Sequence, residues 1–197
     1  MKLKYFVVVL SLTIVPALAA AQDAHQGHDQ ATKHESHAMP ALSDEHFLAM
    51  MIKHHQDGIE LAKLEESKGS REPVRTLAAK IRAGQERELS EMKAHEGKHA
   101  GHSATRGTSG HAADPSMQKH HDMMETMAKE SLAKVEKAEG SAADQAFLQE
   151  MAKHHEMALE MIAKAKLKDP DLLKMSQKMA QAQKRELQEL KQLEAGK

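Results

Sequence analysis

Three short stretches of the chain repeat one arrangement of methionine, lysine and paired histidines. They read MIKHH at residues 51–55, MQKHH at residues 117–121 and MAKHH at residues 151–155. Because helical residues four positions apart share a face, each methionine thioether would lie beside the second imidazole of its pair. Thioether and imidazole groups together favour soft metal ions, Cu(I) and by extension Ag(I). The repeat therefore predicts metal binding.

Additional methionines follow the second stretch at helical spacing. Met124 lies four residues after His120, and Met127 lies one turn farther along the same predicted helix. A single methionine on an apolar helix face is more often core packing, which is our interpretation of Met175 and Met179. Three histidine pairs with the same preceding methionine favour a metal site instead. The ligands that this pattern predicts are Met51, His54, His55, Met117, His120, His121, Met124, Met127, Met151, His154 and His155.

The composition excludes several kinds of site and partner. The chain has no cysteine, so it has neither a disulfide framework nor a thiolate metal ligand. Beyond residue 21, Phe47 and Phe147 are the only Phe, Tyr or Trp residues, which leaves no aromatic platform for stacking bases. Without the two lysines of the first segment, 26 basic residues (28 minus 2) against 29 acidic ones give a net charge of about -3. We therefore expect no nucleic-acid partner.

The first 21 residues have the layout of a secretory signal peptide. Lys2 and Lys4 precede an apolar run over residues 5–15, and small residues follow at positions 17–21. The apolar run is too short to span a bilayer by itself. The sequence predicts a cleaved signal peptide over residues 1–21, a periplasmic mature protein and no membrane span in that mature protein.

Polar segments without helical periodicity separate the helical parts of the chain. Residues 22–42 and 96–114 carry histidines but no apolar period, which predicts a disordered histidine-rich arm and a flexible linker. Periodicity and capping residues predict helices over 44–68, 72–95, 115–139, 142–167 and 170–194. The predicted domains are a first helical hairpin over 43–95, and a third helix with a second hairpin over 115–197, which form one bundle.

The two hairpins are copies of one another. DEHFLAMMIKHH from Asp44 matches DQAFLQEMAKHH from Asp144 at an offset of 100 (144 minus 44). The helix that follows each stretch also matches, at an offset of 98 (183 minus 85). Metal-binding imidazoles usually hold their second ring nitrogen on a hydrogen-bonding partner. Counting along the antiparallel helices offers such partners near His55 and His155, namely Gln85, Glu88, Gln183 and Glu186.

These residues resemble the ferritin-like domain-of-unknown-function family 305, which includes periplasmic copper-binding proteins of the CopM type. The similarity covers residues 44–92 and 117–190. It implies an all-α, ferritin-like antiparallel four-helix-bundle-type domain, here built from a duplicated helical hairpin plus an extra helix. It also implies copper or silver binding in the cell envelope. Where the family commonly has Gln-x-Ala-Ile after the histidines, this chain reads EMALEM, which adds Met157 and Met161 to the predicted ligands.

The predicted function is metal binding without catalysis. We expect copper, as Cu(I) and also as Cu(II), with silver as a surrogate, to be bound for sequestration, delivery or resistance. The expected partners are the metal ions themselves and a copper exporter or another copper protein of the envelope.

Two alternatives stay open on the sequence. The first is a periplasmic Ni, Co or Zn sensor, or a helical adaptor that binds partners through its methionines. The second is a ferritin-like oxidoreductase with a di-iron centre, which would need carboxylates at Glu-x-x-His spacing. The chain has this spacing once, from Glu96 to His99, and Gly97 interrupts it at a predicted helix end.

Overall fold

The protein is all-helical in a computed structural model that describes residues 41–103 and 115–196. Within these ranges, the side chains of residues 99–103 and 115–117 are not described. The helices are α1 (Asp44–Lys68), α2 (Glu72–Ser103), α3 (Pro115–Lys137), α4 (Ser141–Lys164) and α5 (Pro170–Glu194). No helix in the described ranges is long and apolar enough to cross a membrane. The predicted all-α class is confirmed.

Side-chain caps begin two of these helices, and a glycine precedes a third. The Ser43 hydroxyl accepts a hydrogen bond from the backbone N–H of His46 at the start of α1. The Asp169 carboxylate accepts two backbone N–H groups of the first turn of α5, at 2.8 and 2.9 Å, and Pro170 occupies that turn. Gly140 precedes α4 with a φ of 58°, a left-handed conformation that glycine adopts without steric cost.

The helices are arranged as two hairpins and one additional helix. α1 pairs with α2, and α4 pairs with α5; α1 then packs on α4, and α2 packs on α5. The additional helix, α3, packs across α1 and α4. The predicted bundle of two duplicated hairpins plus an extra helix is therefore confirmed.

Equivalent aspartates tie each hairpin to the other. Asp44 accepts backbone N–H groups of residues 168 and 169, in the turn before α5, at 2.8 and 3.2 Å. Asp144 accepts backbone N–H groups of residues 70 and 71, in the turn before α2, at 3.0 and 3.1 Å. Each copy therefore caps the inter-helix turn of the other copy, which fixes the register of α1 against α4.

Two apolar cores lie on either side of a polar layer. The methionine core contains Leu42, Phe47, Leu48, Met50, Met51, Met92, Ala158, Met161, Leu172 and Met179. The leucine core contains Leu61, Ala62, Val74, Leu77, Ala78, Ile81, Val135, Phe147, Leu148, Met151 and Leu190. Between the two cores lie six buried polar residues, His54, His55, Gln85, His154, His155 and Gln183. The histidine pairs therefore lie in the middle of the bundle.

Two sequence-based boundaries need correction. The helix α2 continues past residue 95 to Ser103, into the predicted linker, because extending an existing helix costs little once it is nucleated. Leu42, at the end of the predicted arm, is fully buried, and its carbonyl accepts the Lys166 N–H at 2.9 Å. The α3 and α4 ends also differ from the prediction by a few residues. The predicted signal peptide, most of the arm and linker residues 104–114 lie outside the described residues.

Candidate metal centre

The first histidine of each bundle pair meets its copy across the α1–α4 contact. The rings of His54 and His154 stack at a centroid distance of 3.6 Å and an interplanar angle of 9°. His54 Nε2 lies 3.0 Å from the His154 carbonyl oxygen, and His154 Nε2 lies 2.9 Å from the His54 carbonyl oxygen. A carbonyl only accepts hydrogen bonds, so each Nε2 carries the proton and each Nδ1 keeps its lone pair. These Nδ1 atoms are the ring nitrogens available to a metal.

Both stacked imidazoles are neutral at physiological pH. Burial, together with the neighbouring histidines, lowers the pKa of His54 well below its usual value of 6.5. Burial and the nearby His155 ring lower the pKa of His154 to about 3. Protons therefore do not compete with a metal for these two nitrogens in the neutral pH range.

The second histidine of each pair is held by a glutamate of the following helix. His55 Nε2 lies 2.8 Å from Glu88 Oε2, and its Nδ1 lies 3.0 Å from the Met51 carbonyl oxygen. In the second copy, His155 Nε2 lies 2.9 Å from Glu186 Oε2. The expected carboxylate partners are therefore present. Both ring nitrogens of His55 therefore lie against hydrogen-bond acceptors of the protein.

The two glutamines of the polar layer are buried next to these histidines. A Cβ atom at Gly58 would lie 2.2 Å from Gln85 Oε1 and 2.6 Å from His154 Cε1, so only glycine lets these groups approach α1. The side-chain atoms of Gln85 and Gln183 have no hydrogen-bond partner among the described residues. The expected hydrogen bond between each glutamine and the second histidine is therefore not formed, and Gln85 packs against α1 at Gly58 instead.

A cavity of about 130 Å³ opens on the stacked pair beneath α3. Its walls come from α1, α3 and α4, and they include two imidazoles and three thioethers: His54, His154, Met124, Met127 and Met157. The duplication supplies the histidines, whereas the unduplicated helix α3 supplies two of the methionines. The cavity therefore brings together five of the predicted ligands.

A buried carboxylate forms the polar wall of this cavity. Glu150 is 5% exposed and accepts hydrogen bonds from Ser131, Lys134 and Lys153 at 2.7, 3.0 and 2.9 Å. Burial by itself would raise the pKa of Glu150, but hydrogen bonds from Lys153, Ser131 and Lys134 outweigh burial and lower it. The Glu150 carboxylate is thus charged, and the two lysines already balance its charge. Glu150 would therefore do little to balance the charge of a bound metal ion.

Comparison with known proteins identifies the fold and its family. The family model described as "Domain of unknown function (DUF305)" matches residues 44–194. The chain belongs to the DUF305 family. The resemblance inferred from the sequence is therefore confirmed. No match was found among curated proteins.

Solved structures of other DUF305 proteins share this architecture. A DUF305 fragment from Deinococcus radiodurans has a TM-score of 0.62 at 22% identity, covering 80% of this chain and 99% of that chain. CopM in its Cu(II)-bound form has a TM-score of 0.60 at 26% identity, covering 79% and 97%. CopM in its Ag-bound form has a TM-score of 0.55 at 25% identity, with the same coverage.

The remaining predicted ligands of this DUF305 chain whose side chains are described do not line the cavity. Met51 and Met161 are fully buried in the methionine core, and Met151 is fully buried in the leucine core. On α3, His120 is buried and His121 is exposed. The side chain of Met117 lies outside those described. The predicted ligands are therefore divided among several places instead of forming one site.

Sequence reasoning missed Glu150 and the other polar residues of the cavity wall. Glu150 lies four residues before His154, so helical spacing places both on one face of α4. That spacing could have indicated that Glu150 lies near the histidine site. A glutamate next to lysines, however, usually indicates a solvated helix face. Among the described side chains, no three or more His, Cys, Asp and Glu residues are arranged to hold a metal ion.

Proposed function

We propose that this DUF305 protein binds copper as Cu(I), and also Ag(I), in the cavity beneath α3. The observation that carries the proposal is that Met124, Met127 and Met157 line the same cavity as two neutral imidazoles. Thioethers are soft, uncharged ligands that need no deprotonation, and imidazole nitrogens complete a coordination set suited to these ions. The His54 and His154 lone pairs at Nδ1 would supply that nitrogen.

The solved relatives support this choice of metal. CopM has been crystallised in Cu(II)-bound and Ag-bound forms, and it is 26% and 25% identical to this chain in those structures. Zn(II), Ni(II) and Co(II) prefer imidazole combined with carboxylate or thiolate. The lysines around Glu150 already engage the buried carboxylate of the cavity. This donor set favours Cu(I) over the divalent alternatives.

The biological role that we propose is binding without catalysis. The protein would be exported by its N-terminal signal and would sequester or hand over copper in the periplasm, which would confer copper resistance. A copper exporter or another envelope copper protein would be the recipient. An absence of turnover with Cu(I) or Fe(II) and dioxygen would support this role, whereas multiple turnovers would identify an oxidoreductase.

Replacing the three cavity methionines with leucine tests the site. The substitutions Met124→Leu, Met127→Leu and Met157→Leu conserve volume and apolarity, so the bundle should remain folded. The control is Met123→Leu, because Met123 is on α3 and 37% exposed but does not line the cavity. Affinity for Cu(I) would be measured anaerobically by competition with a chromogenic chelator, and Ag(I) would be measured in parallel.

We expect the triple variant to bind Cu(I) at the mixed sulphur and nitrogen site at least about tenfold more weakly, a loss of about 1.4 kcal/mol or more. X-ray absorption at the copper edge should show both sulphur and nitrogen neighbours in the native protein, and the nitrogen signal should fall in the variant. Unchanged affinity and unchanged neighbours in the triple variant would reject the cavity as the copper site.

A further inference from the structure

Methionines are concentrated in one of the two cores. The methionine core buries Met50, Met51, Met92, Met161 and Met179, and Met124 and Met175 pack against it partly buried. The leucine core, at the other end of the bundle, buries Met151 as its single methionine among the described residues. Both cores draw on the same four helices of the two hairpins, and the leucine core also buries Val135 of α3.

The duplication provides an internal control for this difference. Offsets of 100 for α1 with α4 and 98 for α2 with α5 relate most residues of one core to a residue of the other. At three buried pairs of equivalent positions, one core has methionine and the other has leucine or isoleucine. These pairs are Met161 with Leu61, Met179 with Ile81, and Met92 with Leu190.

Packing alone does not require methionine at these positions. The leucine and isoleucine copies occupy equivalent positions on equivalent helices, and all six side chains are at most 1% exposed. Methionine has three rotatable bonds and specifies a core less well than leucine does. The same relation holds for Met175, which packs partly buried against the methionine core and corresponds to Leu77, buried in the leucine core. Packing therefore does not explain why these positions carry thioethers.

We propose that the methionine core is a second binding site for a soft monovalent cation, Cu(I) or Ag(I), coordinated by thioethers alone. Thioether sulphur is a soft ligand that suits these ions and discriminates against zinc and magnesium. Flexible methionine side chains can turn their sulphur atoms towards one ion without a change of backbone. Met124 and Met175, at the edge of the core and half-buried, give the ion a route inwards.

This second site takes its class of ion from the proposed function but uses different residues. The cavity combines sulphur with imidazole nitrogen, whereas the methionine core offers sulphur only. Met124 packs against the core and lines the cavity, so it lies between the two sites. Substitutions that leave Met124 intact can therefore test the core without removing the cavity site.

The protein's own second copy supplies the test variant. Changing Met161→Leu, Met179→Ile and Met92→Leu gives the methionine core the residues that already pack in the leucine core. The reciprocal variant carries Leu61→Met, Ile81→Met and Leu190→Met in the leucine core. Equilibrium dialysis against Ag(I) with a competing thioether ligand, followed by elemental analysis, gives the number of ions per chain.

We expect the first variant to keep its helical circular dichroism and to lose one Ag(I) per chain, with a fall in sulphur neighbours in X-ray absorption. A folded first variant that binds as many ions as the native chain would overturn the proposal. If the first variant does not fold, the reciprocal variant decides. A gain of at least one Ag(I) per chain would support a thioether site, and no gain would reject it.

The two proposals fail separately in these measurements. If copper loses its nitrogen neighbours in the cavity variant while the core variant binds as many ions as the native chain, only the cavity site is supported. If the core variant loses an ion while copper binding in the cavity variant is unchanged, only the methionine-core site is supported.

Discussion

Replacing Glu65 with glutamine should remove a pH dependence from the stability of the bundle. Glu65 is fully buried near the end of α1, and its carboxyl group meets Asp144 of α4 over Gly69. A Cβ atom at Gly69 would lie 2.0 Å from Glu65 Oε1 and 2.8 Å from Asp144 Oδ1. Two carboxyl groups this close cannot both be charged without a large energetic cost.

The proton belongs to Glu65. Burial by itself would raise the pKa of Asp144, but hydrogen bonds from Ser70 and Arg71 outweigh burial and lower it, so Asp144 is charged. Burial, with the neighbouring Asp144, raises the pKa of Glu65 from 4.5 to about 8. Glu65 is therefore protonated in the folded protein at neutral pH and ionised in the unfolded chain.

The direction of the pH dependence follows from this difference. Between pH 4.5 and about 8 the folded protein holds a proton that the unfolded chain has lost, so the free energy of unfolding falls as pH rises. This stabilisation is fully present below pH 4.5, the pKa of Glu65 in the unfolded chain. It is lost as the pH rises through the folded pKa of about 8. At about 1.4 kcal/mol per pKa unit, the upper limit of the change is about 5 kcal/mol. Solvent screening near exposed Ser70 reduces the expected change to about 1–3 kcal/mol.

Glutamine has the shape of a protonated glutamate and does not titrate, so Glu65→Gln isolates this effect. Urea unfolding of the metal-free protein at pH 5 and pH 8.5 would give the free energies of unfolding of both proteins. At pH 5 we expect similar stabilities, and at pH 8.5 we expect the variant to be more stable by about 1–3 kcal/mol. Parallel pH profiles for the two proteins would show that Glu65 is already ionised at neutral pH and would refute the reasoning.

Two further predictions concern the polar layer. Gly58→Ala should destabilise the bundle by about 1–3 kcal/mol in urea unfolding, because the Cβ atom of the new alanine would lie 2.6 Å from His154 Cε1. The matched control Gly84→Ala, whose Cβ meets nothing closer than 3.7 Å, should stabilise it by up to about 1 kcal/mol; equal effects would contradict the predicted clash. In the Glu65→Gln background, stability should rise from pH 5 to pH 7, because His54 and His154 stay neutral when folded but gain protons below 6.5 when unfolded. A flat profile there would mean that both rings take up protons in the folded state as readily as in the unfolded chain.

Much of the fold could be predicted because its signals are local. Apolar residues recur at the helical period, and capping residues such as Ser43 and Asp169 act on backbone groups within the next few residues. The duplication was visible because the two copies retain the same motif residues at constant offsets. The glutamate partners of His55 and His155 also followed, since they depend only on the pairing of adjacent helices in each hairpin.

The metal centre was less accessible to sequence reasoning. The motif places a methionine and a histidine on one helical face, and Met51 and His55 are indeed both buried on α1. It does not determine which groups from other helices join them. In the structure His55 binds Glu88, while His54 joins Met124 of α3 on the cavity wall. This grouping depends on how α3 crosses α1 and α4. Spacing along a single helix does not determine that crossing.

The sequence by itself determined the five helices, the duplication, the buried face of each helix and the ligand types available, because each follows from residues close together in the chain. Only the tertiary structure decided that equivalent histidines stack on each other, that α3 closes a thioether cavity over them, and that methionines collect in one core. These features arise from contacts between residues far apart in the chain. Such contacts depend on the packing of whole helices, which helical periodicity does not specify.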